Sequence, residues 1–164
     1  MAISIVNMTS EEEARGKARV HWLAWKEAYH GLVDQAFLDA RTYEFSEERA
    51  LRAFHAGIPT LLAKDGDEVV GFADYGPYRG DDLANTGEVY ALYLLSSHYR
   101  RGIGTALMEA ALARMPQYSR HAVWVLEGNE RAIAFYRSCG FAFDGASQTL
   151  TLGTEVTDLR MIRS

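Results

Sequence analysis

Val89-Tyr90-Ala91-Leu92-Tyr93-Leu94-Leu95 leads, across Ser96-Ser97-His98, into Tyr99-Arg100-Arg101-Gly102-Ile103-Gly104-Thr105. The first run is apolar and aromatic and reads as a strand; the Gly-x-Gly after it opens a helix over Gly102 to Met115. A second strand-like run, Ala122-Val123-Trp124-Val125-Leu126, precedes Asn129-Glu130-Arg131-Ala132-Ile133-Ala134-Phe135-Tyr136-Arg137-Ser138-Cys139-Gly140-Phe141. Asn129 is an N-cap residue and Gly140 a helix terminator, so this segment is a second helix. Two strand-then-helix units in succession predict an α/β chain with a mixed sheet.

Working outward, Ala2 to Met8 alternates like a short strand, and Thr9 or Ser10 caps a helix that begins with Glu11, Glu12 and Glu13 and reaches about Tyr29. Gly31 interrupts it. Helices follow over Asp34 to Ala40 and over Ser46 to Ala56, the latter capped by Ser46. Thr60 to Ala63 and Val69 to Tyr75 form a hairpin across Asp65-Gly66-Asp67. Strands over Glu88 to Leu95 and His121 to Leu126 come next, and from Phe141 two paired segments flank Gly153.

Composition sets the boundaries. A chain of 164 residues, 48% hydrophobic and 24% charged, is a single domain over 1–164 with enough residues for a real core. The net charge of −5 argues against nucleic acid or acidic membranes as partners and suits a cationic acceptor. Cys139 is the lone cysteine, so no internal disulfide forms and a reducing cytoplasm is expected. No apolar run reaches the length of a membrane span, the N-terminal stretch is no signal peptide, and the five histidines lack metal-ligand spacing.

The Gly-x-Gly turn carries the first chemistry. A helix start has N–H groups without partners and partial positive charge, which favours an anion. Gly102 and Gly104 let a ligand approach the main chain, and Arg100 and Arg101 add guanidinium groups suited to phosphate. A dinucleotide fingerprint would need glycine where Leu107 stands, and the chain contains no Gly-Lys-Ser or Gly-Lys-Thr P-loop.

The run Leu92 to Leu107 resembles the acetyl-CoA loop of the GNAT family of N-acetyltransferases, and Val125 to Phe141 resembles that family's Asn … Phe-Tyr … Gly-Phe stretch. The likeness extends from Ile3-Ser4-Ile5 to Thr157-Asp158-Leu159-Arg160-Met161. Tyr99 departs from the pattern, since Gln or Arg is usual there. The resemblance implies a GNAT-like α/β fold, with a mixed central sheet of about seven strands and helices on both faces. It also implies acetyl-CoA as cosubstrate and acetyl transfer to an amine within a ternary complex.

By the same resemblance, Arg100, Arg101, Gly102, Ile103, Gly104 and Thr105 hold the pyrophosphate, while main-chain groups of Leu92, Tyr93 and Leu94 pair with the pantetheine arm. Asn129 reaches that arm, and Ala132, four residues before Tyr136 on one helical face, leaves it room. Tyr136 matches the family's general acid; a phenol of pKa about 10 keeps its proton at neutral pH. Deprotonating an alkyl ammonium at pH 7 costs about 4–5 kcal/mol, and Glu88 stands where the family often places a glutamate for that task. Tyr90, on the same strand face, would help to hold a water.

Trp25 and Tyr29, at an aromatic helix end, are the candidate walls of the acceptor pocket, where ring faces attract an ammonium. The C-terminal stretch from Gly153 also resembles the polyamine-acetylating branch, which favours a small primary amine. A protein amino terminus or lysine, and a coenzyme A-binding sensor without catalysis, are the alternatives. A homodimer and a monomer both fit the sequence.

Overall fold

The computed structural model describes residues 2–164. Strand β1 (Ile3–Asn7) is followed by helices α1 (Glu11–Tyr29), α2 (Gln35–Ala40) and α3 (Tyr43–His55), then strands β2 (Thr60–Asp65), β3 (Glu68–Pro77) and β4 (Thr86–Leu94). A 3₁₀ turn, Ser96–His98, leads to α4 (Ile103–Ala113), β5 (Arg120–Leu126), α5 (Glu130–Ser138), β6 (Ala142–Leu152) and β7 (Thr154–Arg163). The seven strands make one sheet in the order β1-β2-β3-β4-β5-β7-β6. All neighbours are antiparallel except β4 and β5.

Local chemistry sets the helix starts. Ser10 Oγ accepts from Glu13 N at 3.1 Å, with three acidic residues in the first turn of α1. Asp34 caps α2 in the same way. The expected start of α3 at Ser46 is corrected: Thr42 Oγ1 accepts from Phe45 N at 3.1 Å, which puts the cap four residues earlier than the Ser-x-x-Arg pattern suggested. Ser46 is buried inside the helix and caps nothing.

Helices cover both faces of the sheet. Phe72 and Tyr93 are cross-strand partners whose rings meet His21 of α1. Gly71 and Leu94, one residue along, point the other way, against Leu107 of α4. The main core runs from Val20 and Ala24 through Leu62, Phe72 and Val123 to Leu107, Met108 and Ala111. A buried ion pair of 2.9 Å, Lys17 Nζ to Asp74, fixes α1 on β3.

One irregularity matters for everything that follows. Parallel pairing joins β4 to β5 at only three positions, Thr86, Gly87 and Glu88 opposite Arg120, His121 and Ala122. Beyond them β4 stays with β3 while β5 continues against β7, so the sheet opens into a wedge. A bulge coincides with the divergence: Val89 pairs with Tyr75 and Ala91 with Asp74, leaving Tyr90 as the extra residue. The sequence predicted a strand from Glu88 to Leu95; the residues from Tyr90 to Leu94 are half-buried because one edge has lost its neighbour.

Candidate active site

The wedge holds a cavity of about 560 Å³. Leu92, Tyr93 and Leu94 line one side; Asn129, Ala132 and Tyr136 of α5 line the other. At its outer end lie Tyr99, Arg100, Gly104 and Arg131. The edge of β4 that faces the gap is a row of backbone groups able to receive an extended, amide-bearing ligand.

The start of α4 is built for an anion. Gly102 has φ +76°, a left-handed conformation with open space where a Cβ would stand, and no side chain caps the helix. The first helical bond runs from Ala106 N to Gly102 O, so the N–H groups of Ile103, Gly104 and Thr105 have no acceptor within the helix. Gly104 serves packing instead: a Cβ there would come within 3.2 Å of the Phe135 ring. The Ile103 side chain is buried in the core, whereas Arg101 and Thr105 are exposed and do not line the cavity. Tyr99 has a use of its own, because the Arg131 guanidinium lies 4.3 Å from its ring centre, at the outer end of the cavity. Sequence reasoning had not singled out Arg131.

On α5, Asn129 Oδ1 accepts from Ala132 N at 3.2 Å, which makes it the N-cap. Tyr136 sits further along the helix, with its ring between Phe135 and Phe141. Burial pushes its phenol well above the ordinary tyrosine value, with neighbouring Tyr29 adding to the effect. Cys139 is buried and its thiol is likewise pushed up by burial, so it is no ready nucleophile.

A second cavity of about 590 Å³ lies on the far side of the wedge's mouth. Tyr29, Tyr90, Trp124 and Leu126 belong to both, so the two spaces meet there. Trp25, Arg79, Glu88, Gln148 and Asp158 are among the residues that line the second alone. Trp25 and Tyr29 pack edge to face at 5.5 Å, and Tyr29 Oη is 3.0 Å from Tyr93 Oη. The structure thus brings Leu92, Tyr93, Leu94, Arg100, Gly104, Asn129, Ala132 and Tyr136 beside Trp25, Tyr29, Glu88 and Tyr90, and leaves Arg101 and Thr105 outside.

Glu88 is buried rather than a solvated strand end, and both its oxygens are in use. Oε1 accepts from Arg79 N at 3.0 Å and Oε2 from Arg79 Nη2 at 2.6 Å. Arg79 also lies over the Tyr90 ring, whose hydroxyl donates to Pro77 O. Arg160, absent from the sequence expectations as a site residue, is buried and donates to Asp144, Asp82 and Tyr78. It pins the loop that carries Arg79. Asp158 was also overlooked. Charged residues at 158 and 160, alternating with apolar Leu159 and Met161, were a signal that one face of β7 looks into a polar space. Among the described residues no cluster of His, Cys, Asp or Glu could hold a metal ion, and no helix is long and apolar enough to cross a membrane.

Residues 17–141 match the Acetyltransferase (GNAT) family. The chain belongs to that family. It is an N-acetyltransferase with acetyl-CoA as its cosubstrate. This acetyltransferase is 32% identical over 129 residues to the uncharacterized N-acetyltransferase YuaI of Bacillus subtilis, covering 77% of this chain and 73% of the relative. It is 27% identical over 125 residues to an L-methionine sulfoximine/L-methionine sulfone acetyltransferase of Pseudomonas paraeruginosa, 74% of this chain and 66% of that one. It is 30% identical over 118 residues to the peptidyl-lysine N-acetyltransferase YjaB of Escherichia coli, 71% of each. In fold, it matches the PaiA N-acetyltransferase of Thermoplasma acidophilum, solved with coenzyme A, at a TM-score of 0.74 and 22% identity, covering 100% and 99% of the two chains.

Proposed function

We propose that this acetyltransferase moves the acetyl group of acetyl-CoA directly onto the primary amine of a small molecule such as a polyamine. The observation that carries the reading is the meeting of two cavities at Tyr29, Tyr90, Trp124 and Leu126, with Tyr136 on the donor side. Two substrates bound in adjoining spaces need no covalent enzyme intermediate.

The donor cavity fits its ligand. Three free N–H groups at the start of α4, with Arg100 and Arg131 beside them, suit a pyrophosphate, and the unpaired edge of β4 suits the amides of a pantetheine arm. Bound there, acetyl-CoA supplies an acetyl thioester with a thiol leaving group. In this reading, a main-chain N–H from the unpaired edge of β4 stabilises developing negative charge on the carbonyl oxygen. Tyr136 holds its proton at the phenol oxygen throughout the neutral range and is available there as general acid. Glu88, tied to Arg79, holds the entry loop of the acceptor cavity in place.

A small acceptor is favoured over a polypeptide by how the second cavity is walled. Helix α2 packs against the β6–β7 turn so closely that a Cβ at Gly153 would lie 2.7 Å from Phe37 Cβ and 3.0 Å from Asp34 Cβ. That contact backs Leu152, which lines a space whose volume is typical of small-molecule sites. The relatives act on both kinds of acceptor by name, a methionine derivative and a peptidyl lysine. The test is thiol release from acetyl-CoA with a panel of polyamines, amino acids, aminoglycosides and lysine peptides. Turnover confined to small amines supports the reading, and turnover confined to peptides overturns it.

A further inference from the structure

The acceptor cavity contains a carboxylate that the fold leaves without a cation. Asp158 on β7 stands in register between Leu126 of β5 and Gln148 of β6. Its only side-chain hydrogen bond among the described residues comes from Gln148 Nε2, at a long 3.4 Å. Of the charged groups around the cavity, Glu88 is committed to Arg79 and Arg160 to Asp82 and Asp144, while Arg41 lies over the Trp25 ring at 4.3 Å and makes no ion pair with Asp158. Of the facing phenols, Tyr78 and Tyr90 are bonded to Arg160 and Pro77, while Tyr29 is bonded to Tyr93 and Tyr136 approaches from α5. A half-buried carboxylate with no cation costs stability, a cost that a cationic ligand offsets when it binds.

Building on the function proposed above, we infer that Asp158 is the acceptor-side catalytic carboxylate: it binds the acceptor's primary ammonium beside the rings of Trp25, Tyr29 and Trp124 and takes a proton from it. The acceptor is accordingly a cationic alkyl amine. In this step an ammonium N–H bond breaks, the proton passes to an Asp158 oxygen and on to solvent, and nitrogen keeps the electron pair that forms the amide bond. The second nitrogen proton, released as the amide forms, balances the one that leaves with the thiol. Desolvation raises the Asp158 carboxyl above its ordinary value, which makes it a stronger base than a solvated aspartate. Glu88, with both oxygens occupied, is less free for this task.

The test compares wild type with Asp158→Asn and Asp158→Glu. Calorimetry of the coenzyme A complex uses 1,4-diaminobutane and propylamine as cationic probes, with morpholine-4-carboxamide as a neutral control. The wild-type complex is expected to bind the cationic probes, and Asp158→Asn to bind them at least about tenfold more weakly. In turnover, Asp158→Asn is expected to lose about 10²-fold in kcat/KM for the amine and the acid limb of its pH profile, with donor KM unchanged. Asp158→Glu should recover part of both. An Asn variant that keeps the acid limb and stays within threefold of wild type overturns the assignment. So does a wild-type complex that binds neither cationic probe. Absence of acceptor-dependent turnover would overturn the proposed function itself, while the calorimetric comparison still reads Asp158 separately.

Discussion

Tyr29 of α1 and Tyr93 of β4 share a hydrogen bond of 3.0 Å between their phenol oxygens, joining a wall of the second cavity to the strand that lines the first. Removing the bond with Tyr29→Phe leaves the buried Tyr93 hydroxyl unpaired at a cost of about 1 kcal/mol, read as a lowered urea midpoint. Because the pair sits where the cavities meet, acceptor KM should rise while donor affinity holds.

Tyr136→Phe removes the phenol proton and little else, since the ring's contacts with Phe135 and Phe141 persist. Turnover should fall about 10²-fold or more while coenzyme A affinity stays within twofold, measured by thiol release and by titration calorimetry. Equal turnover in the two proteins would remove Tyr136 from the chemistry.

Gly102→Ala places a Cβ on a left-handed residue, at a cost of about 1–2 kcal/mol. Relaxing that strain tilts the first N–H groups of α4 away from the donor. The expected outcome is a lower melting temperature with a higher donor KM and unchanged acceptor KM. A change confined to melting would mean that the turn's geometry does not serve the donor.

Two titrating groups give opposite signs with pH. Burial pushes His21 down to about 3, with Arg41 and Lys17 contributing. Its neutral form is favoured in the fold, so its contribution to stability is full above pH 6.5 and is lost as pH falls from there toward 3. Asp158 is raised by desolvation, so the native state binds its proton more tightly than the unfolded chain. Its contribution is best below the ordinary aspartate value of 3.8 and is lost as pH climbs through the raised one. Asp158→Asn should therefore be more heat-stable than wild type at pH 7 while less active. A melting temperature that is unchanged or lower would show that the carboxylate is not under strain.

Breaking the Lys17–Asp74 pair with Lys17→Ala leaves a carboxylate beneath α1 whose remaining partner is Thr60. Stability should drop by about 3–5 kcal/mol in urea unfolding. A loss under 1 kcal/mol would mean that Thr60 and water suffice for Asp74.

Most of the first cavity's lining was legible because its parts are contiguous. Strand, glycine turn and helix start follow one another from Val89 to Thr105, and the cap, Ala132 and Tyr136 share one short helix. The second cavity draws on three distant segments: Trp25 from α1, Arg79 from the loop after β3, and Gln148 and Asp158 from the β6–β7 hairpin. The hairpin across Gly153 sets 148 opposite 158 locally, but only the pairing of β5 with β7 brings 158 beside 126, and no local spacing encodes that pairing. Local chemistry also misled once. Ser46-Glu47-Glu48 offers the residues of a helix start, but Thr42 does the capping while Ser46 is buried. A sheet of about seven strands was expected from apolar runs, turn residues and the family resemblance, whereas the divergence of β4 from β5 had no counterpart in hydropathy.

That divergence makes the sheet a hinge with two leaves, β1 to β4 and β5 to β7, pinned at Thr86–Glu88 and Arg120–Ala122. The pin is tight: Arg120 Nε reaches Thr86 Oγ1 at 3.1 Å, and a Cβ on Gly87 would strike Tyr118, Met115 and His121. How far the leaves stand apart at Tyr136 is set there, on side chains that never meet an acyl group. The width of the cleft between the leaves is thus a matter of stiffness at the pin as much as of bulk in the walls.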